Sequence, residues 1–164
     1  MDSEFCGNWN QKYSGETDYV RSRHGCIIMY SGCPIVSKYQ LQTEITLSTM
    51  EVEYRGLSYA LREAIQLMEL LNEIKKKGFD LLNHKVKVHC RVFEDNSGVI
   101  EMEVVHKWRP RTKHLAKLHH FRSYVNYGEI SVHKIDTSLQ PADVLTKPLN
   151  TKLLKRHRKT IMGW

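Results

Sequence analysis

Val86-Lys87-Val88-His89-Cys90-Arg91-Val92-Phe93-Glu94-Asp95-Asn96-Ser97-Gly98 decides the fold. Apolar and polar residues alternate through it. Val86, Val88, Cys90 and Val92 share one face of a strand, and Lys87, His89 and Arg91 share the other. The strand runs into Phe93-Glu94-Asp95, and Asn96-Ser97-Gly98 then reads as a turn into a short helix over 99–104. Upstream lies the strongest helical pattern of the chain, from Thr49 to Lys77. Its apolar stripe is Leu57, Leu61, Ala64, Met68 and Leu71. Ser48 and Glu51 fit the S-x-x-E capping box, and Lys75-Lys76-Lys77-Gly78 suits a helix end.

The remaining elements follow outward from this pair. Residues 7–23 read as a polar surface loop, and 24–30 and 35–43 as a hairpin joined through Ser31-Gly32-Cys33-Pro34. A second long helix is predicted over 112–127 and a strand over 130–136. A short helix over 141–146 and a basic tail helix over 152–161 complete the chain. The order predicts an α/β fold, a mixed sheet covered by helices.

The chain has 164 residues and reads as one domain over 1–150, with 151–164 as a basic C-terminal tail helix. No apolar run approaches a membrane span, and the acidic start carries no signal-peptide pattern. The four cysteines contain no CxxC pair and read as free thiols, Cys26 and Cys90 being small apolar strand residues. Net charge is +7, but it is unevenly placed. Residues 105–164 hold 13 Lys and Arg against 3 Asp and Glu. A basic half beside a mildly acidic one points to a polyanion partner or to a solvated basic surface.

Several carboxylates stand out. Glu53 extends the apolar stripe of the long helix, so it either reaches water in the first turn or belongs to a site. Asp95 either caps the helix that follows or stands where α/β sheets gather ligands. Asp143 in a first helical turn and Asp2 mean little alone. Converging, the four would form a hard-oxygen cage for divalent cations, and two such ions can drive phosphodiester hydrolysis.

Five motifs carry a family resemblance. Asp2-Ser3-Glu4-Phe5-Cys6-Gly7 resembles the D-A-D-[WF]-A-G segment that opens the ribonuclease H domain of copia-type retrotransposon Pol polyproteins. Ser48-Thr49-Met50-Glu51-Val52-Glu53-Tyr54 is similar to that family's S-x-x-E-A-E-Y helix start, and Asp95-Asn96-Ser97 to its D-N-x-[SG] strand end. Arg111-Thr112-Lys113-His114 matches R-T-K-H, and Ala142-Asp143-Val144-Leu145-Thr146-Lys147-Pro148-Leu149 matches A-D-[IV]-[LF]-T-K-P-L. The motifs come in the family's order and cover nearly the whole chain.

The resemblance implies an RNase H-like fold: a five-stranded mixed sheet, an antiparallel meander plus two parallel strands, flanked by helices. It implies hydrolysis of the RNA strand of RNA–DNA hybrids with two Mg²⁺ or Mn²⁺ ions, leaving a 3′-hydroxyl and a 5′-phosphate. Asp2, Glu53, Asp95 and Asp143 would be both catalytic residues and metal ligands. Asn96, Ser97, Trp108, Arg109, Arg111, Lys113, His114 and Lys117 would bind the nucleic acid. A reverse transcriptase domain would be the partner in the intact polyprotein. The setting would be cytoplasmic, in a virus-like particle, or nuclear, without a membrane.

Of four departures from the family pattern, two bear most on the site. The family's first strand starts several residues before its first aspartate, whereas here Met1 alone precedes Asp2, which predicts a shortened first strand. Cellular enzymes of this type carry a loop histidine before the last aspartate. His133 lies at a comparable distance from Asp143 but falls within a strand pattern. The competing reading is a catalytically silent, truncated remnant that binds nucleic acid; a third is another nuclease or integrase-type enzyme of the same superfamily.

Overall fold

The computed structural model describes residues 1–5, 20–79, 87–104, 118 and 120–163. Among the described residues, five strands form two sheets. Strands β1 (Asp2–Glu4), β2 (Arg23–Tyr30) and β3 (Cys33–Leu41) make an antiparallel meander. Strands β4 (Cys90–Glu94) and β5 (Ile130–Lys134) pair in parallel, Cys90 opposite Ile130 and Glu94 opposite Lys134. This mixed α/β arrangement of a three-stranded antiparallel and a two-stranded parallel sheet with helices is consistent with an RNase H-like fold.

Among the described residues no ladder joins β1 to β4. One backbone bond and one side chain span the gap instead. The Met1 ammonium donates to the Phe93 carbonyl at 3.1 Å. The buried Gln140 amide donates to the Met1 carbonyl at 2.7 Å and the Phe93 carbonyl at 3.3 Å.

Helix α1 (Thr49–Lys76) packs against β1, β2 and β4 and supplies half of the core cluster. Ser48 is its N-cap, its hydroxyl accepting from the Glu51 amide at 3.2 Å, while the Glu51 carboxylate accepts from the Leu47 amide at 3.1 Å. The Ser48 half is that of a capping box, whereas the return bond goes to the Leu47 amide, one residue before the N-cap, rather than to that of Ser48. Leu57, Leu61, Ala64 and Met68 are buried, Leu71 half so. Burying each leucine is worth about 1.5–3 kcal/mol. They pack with Cys26, Val92, Val99, Phe121 and Ile130.

The shorter elements differ in detail from the sequence reading. Helix α2 (Ser97–Val104) opens two residues earlier than predicted, capped by Asn96. The long helix predicted over 112–127 is not continuous: of it, the described residues form helix only as α3 (Arg122–Asn126), after a turn at 120–121. Phe121, at this turn, is fully buried in the core, its ring 6.2 Å from that of Tyr54. A 3-10 turn (Thr137–Leu139) and the short helix α4 (Asp143–Thr146) follow β5. Helix α5 (Thr151–Met162) ends the described chain. It buries His157, with Leu153 and Ile161 half-buried, and leaves Leu154 exposed. The polar loop predicted over 7–23 lies largely outside the described residues. Cys26, Cys33 and Cys90 are free thiols. No helix among the described residues is long and apolar enough to cross a membrane.

Candidate functional site

Three segments bring carboxylates together beside the gap between the two sheets. Asp2 is the first residue of β1 and is fully buried. Glu53 lies in the first turns of α1, and Asp95 follows β4 directly. Each offers an oxygen, and the three oxygens lie within 4.8 Å of one another.

Neighbouring residues perform the structural tasks that would otherwise account for these side chains. Glu51, not Glu53, completes the α1 cap, and it is also held by Arg55 at 3.0 Å. Asn96, not Asp95, caps α2, its side-chain oxygen accepting from the Gly98 amide at 2.9 Å and the Val99 amide at 3.3 Å. Asp95 instead accepts a hydrogen bond from the Thr137 hydroxyl at 2.9 Å. Glu53 Oε2 is buried without a hydrogen-bond partner.

A fourth acid, Glu94, escaped the sequence reading. It continues the two-residue period Cys90, Val92, Glu94, so it points to the buried face of β4 and is fully buried. One of its oxygens accepts from the Asn96 amide at 3.0 Å, and the other is unpartnered. The signal was present in the alternation, which the sequence reading followed only as far as Val92.

Asp143, in the first turn of α4, lies beside Asp2 at the edge of the trio. Lys147, one turn on, bonds both. Its ammonium donates to Asp2 Oδ1 at 2.8 Å and to Asp143 Oδ1 at 3.2 Å. The Thr146 hydroxyl donates to the other oxygen of Asp2.

Electrostatics follow from this crowding. Burial, then the charges of Glu94, Asp2 and Asp95, push the Glu53 pKa up to about 9. Burial raises Glu94 to about 7, opposed by the Asn96 amide. Burial and then Asp2 raise Asp143 to about 6. Burial opposes the charge on Lys147, but Asp2 and Asp143 outweigh it and hold its pKa above the ordinary lysine range. Oxygen-only donors, crowded until protons must compensate their charge, suit a hard divalent cation. The orphaned oxygens of Glu53 and Glu94 fit the same reading.

Of the residues expected to bind nucleic acid, Asn96 has its side-chain oxygen engaged in the α2 cap. Ser97 is exposed and accepts a hydrogen bond from Lys134 at 3.1 Å. Trp108, Arg109, Arg111, Lys113, His114 and Lys117 lie outside the described residues. His133 lies in β5, exposed, with its ring 5.9 Å from Phe93.

Comparison with known proteins places this geometry in a context. The chain is 31% identical over 135 residues to the retrovirus-related Pol polyprotein from transposon TNT 1-94 of Nicotiana tabacum, covering 82% of the chain. It is 31% identical over 139 residues to the corresponding polyproteins from transposons RE2 and RE1 of Arabidopsis thaliana, covering 84% of the chain in each case. The chain spans only 10% of the first relative and 9% of the others. No protein-family profile and no solved structure matches it. The chain is thus similar to one region of plant retrotransposon Pol polyproteins.

Proposed function

We propose that the chain is the ribonuclease H region of such a polyprotein, a metal-dependent endonuclease acting on the RNA strand of RNA–DNA hybrids. The observation that carries the reading is the meeting of Asp2, Glu53 and Asp95 from three separate elements within 4.8 Å. These are the residues the motif resemblance singles out, with neighbours performing the caps.

Asp2, Glu53 and Asp95 would hold divalent cations, with Asp143 contributing from beside Asp2. Cations there would supply positive charge to the scissile phosphate and lower the pKa of the attacking water. The protein's own part is orientation. Thr146 and Thr137 fix the carboxylates of Asp2 and Asp95 by hydrogen bonds. Gln140 ties the backbone beside Asp2 to that beside Asp95 through the Met1 and Phe93 carbonyls. An A-form hybrid would be read by its shape and 2′-hydroxyls, not its sequence.

The test is cleavage of a labelled RNA–DNA hybrid by the purified chain in Mn²⁺ and in EDTA. Loss of the RNA strand alone, only with metal and not with Asp95→Asn, is the expected result. Metal-independent cleavage, or cleavage of duplex DNA, would overturn it. A second reading, a hybrid-binding chain without turnover, has one observation on its side: the Lys147 ammonium is already bonded to Asp2. A folded chain that binds the hybrid and leaves it intact would favour that reading.

A further inference from the structure

We propose that the Lys147 ammonium is the resident cation of the carboxylate cluster, a competitor that a divalent cation must displace to bind Asp2. The inference rests on the metal-binding reading above and adds to it a device that sets metal affinity.

Asp2 is fully buried, and an ionised carboxylate in such a place needs a counter-charge. Lys147 supplies it. It directly follows α4, one helical turn after Asp143, so its side chain returns along that helix to bridge both acids. Thr146 and Lys147 each hold one oxygen of Asp2, so a metal that reaches this carboxylate meets the ammonium beside it. An ammonium 2.8 Å from Oδ1 and a metal ligated by that same oxygen would repel at close range. The two states are therefore alternatives.

Lys147 is built to leave. Its side chain is 33% exposed, whereas Asp2 is wholly enclosed. The lysine side chain is thus in contact with solvent, which the Asp2 carboxylate is not. Its departure would carry one positive charge out as two enter, in a pocket where Glu53 and Glu94 still present unpartnered oxygens. Exchange thus favours a doubly charged ion over a monovalent one. It also gives the metal-free chain a neutralised, foldable site. The binding-competent state being only a fraction of the population, apparent affinity is reduced by that fraction.

The experiment is calorimetric titration of Mn²⁺ into the wild-type chain, Lys147→Gln and Asp95→Asn, with thermal unfolding of each in EDTA. Lys147→Gln is expected to bind Mn²⁺ about tenfold more tightly while melting at a lower temperature without metal. Equal or weaker binding by a folded Lys147→Gln would overturn the proposal. If it does not fold, ¹⁵N NMR of the wild-type lysine ammonium groups during Mg²⁺ titration decides. The Lys147 signal should shift at the midpoint of metal binding, and an unmoved signal would overturn displacement. The metal reading fails separately, if neither wild type nor Lys147→Gln binds metal, or if Asp95→Asn binds as well as wild type.

Discussion

Asp2 and Gly25 face each other across the β1–β2 ladder, and the bare backbone at Gly25 lets α4 close over Asp2. A Cβ at Gly25 would stand 2.9 Å from Leu145 Cβ and 3.1 Å from Thr146 Cγ2. Neither atom can swing clear, being close to its own backbone. Gly25→Ala should therefore push α4 outward, separating Thr146 and Lys147 from Asp2. Destabilisation of about 1–3 kcal/mol is expected from overpacking, with weakened Mn²⁺ binding. Urea unfolding and metal titration check both, and unchanged values would show that α4 can tilt freely.

Adjacent glutamates on α1 should separate cleanly by role. Glu51→Ala removes a cap and an Arg55 partner, and should cost about 1 kcal/mol or more of stability. Its hybrid cleavage, measured below the new melting temperature, should persist. Glu53→Gln should abolish cleavage and keep the fold. The opposite pattern would mean that the catalytic glutamate is Glu51.

A parallel pair follows β4. Asp95→Asn should end metal-dependent cleavage while hybrid binding remains, since the Thr137 bond can still form. Asn96→Ala should instead lower stability by about 1 kcal/mol through loss of the α2 cap. Gel-shift and cleavage assays on the same preparations compare them. Surviving turnover in Asp95→Asn would remove that residue from the site.

Stability without metal should fall as pH rises through neutrality, with one buried histidine opposing that trend at acid pH. The folded Glu53 pKa is about 9 against an ordinary 4.5, so between these values the folded chain keeps a proton the unfolded chain releases. Stability therefore declines as pH rises through that window. His24 runs the other way. Burial lowers it to about 4 from 6.5, so the unfolded chain takes up the proton first and stability declines as pH falls through that range. The two effects oppose each other where the windows overlap, between 4.5 and 6.5, so urea denaturation in EDTA should show the decline above 6.5, and Glu53→Gln should flatten it. An alkaline slope unchanged in Glu53→Gln would mean that Glu53 is ionised in the fold.

Local chemistry made parts of this architecture readable. The Ser48–Glu51 cap, the α1 stripe and the strand leading to Asp95 follow from one-turn and two-residue periods, and the structure has all three. Glu94 obeys the same period as Val92, yet a buried acid contradicts the expectation that polar residues end a strand. Lys147 could be paired with Asp143 by helical spacing alone. Its bond to Asp2 joins residues at opposite ends of the chain, which no local period encodes. Gly25 looked like an ordinary strand residue, because the need for a bare backbone arises only when α4 arrives. The helix predicted over 112–127 meets a turn at 120–121 among the described residues, where Phe121 is buried, a tertiary placement that the local helical pattern does not encode.

The bridge between Met1, Phe93 and Gln140 has a mechanical consequence. Asp2 sits on the antiparallel ladder and Asp95 at the end of the parallel one, so their separation is set across a seam held by three hydrogen bonds. The carboxylates act as a calliper astride that seam. A cation grasped by both jaws would weld two half-sheets into a single plate, coupling the site's occupancy to the stiffness of the whole molecule.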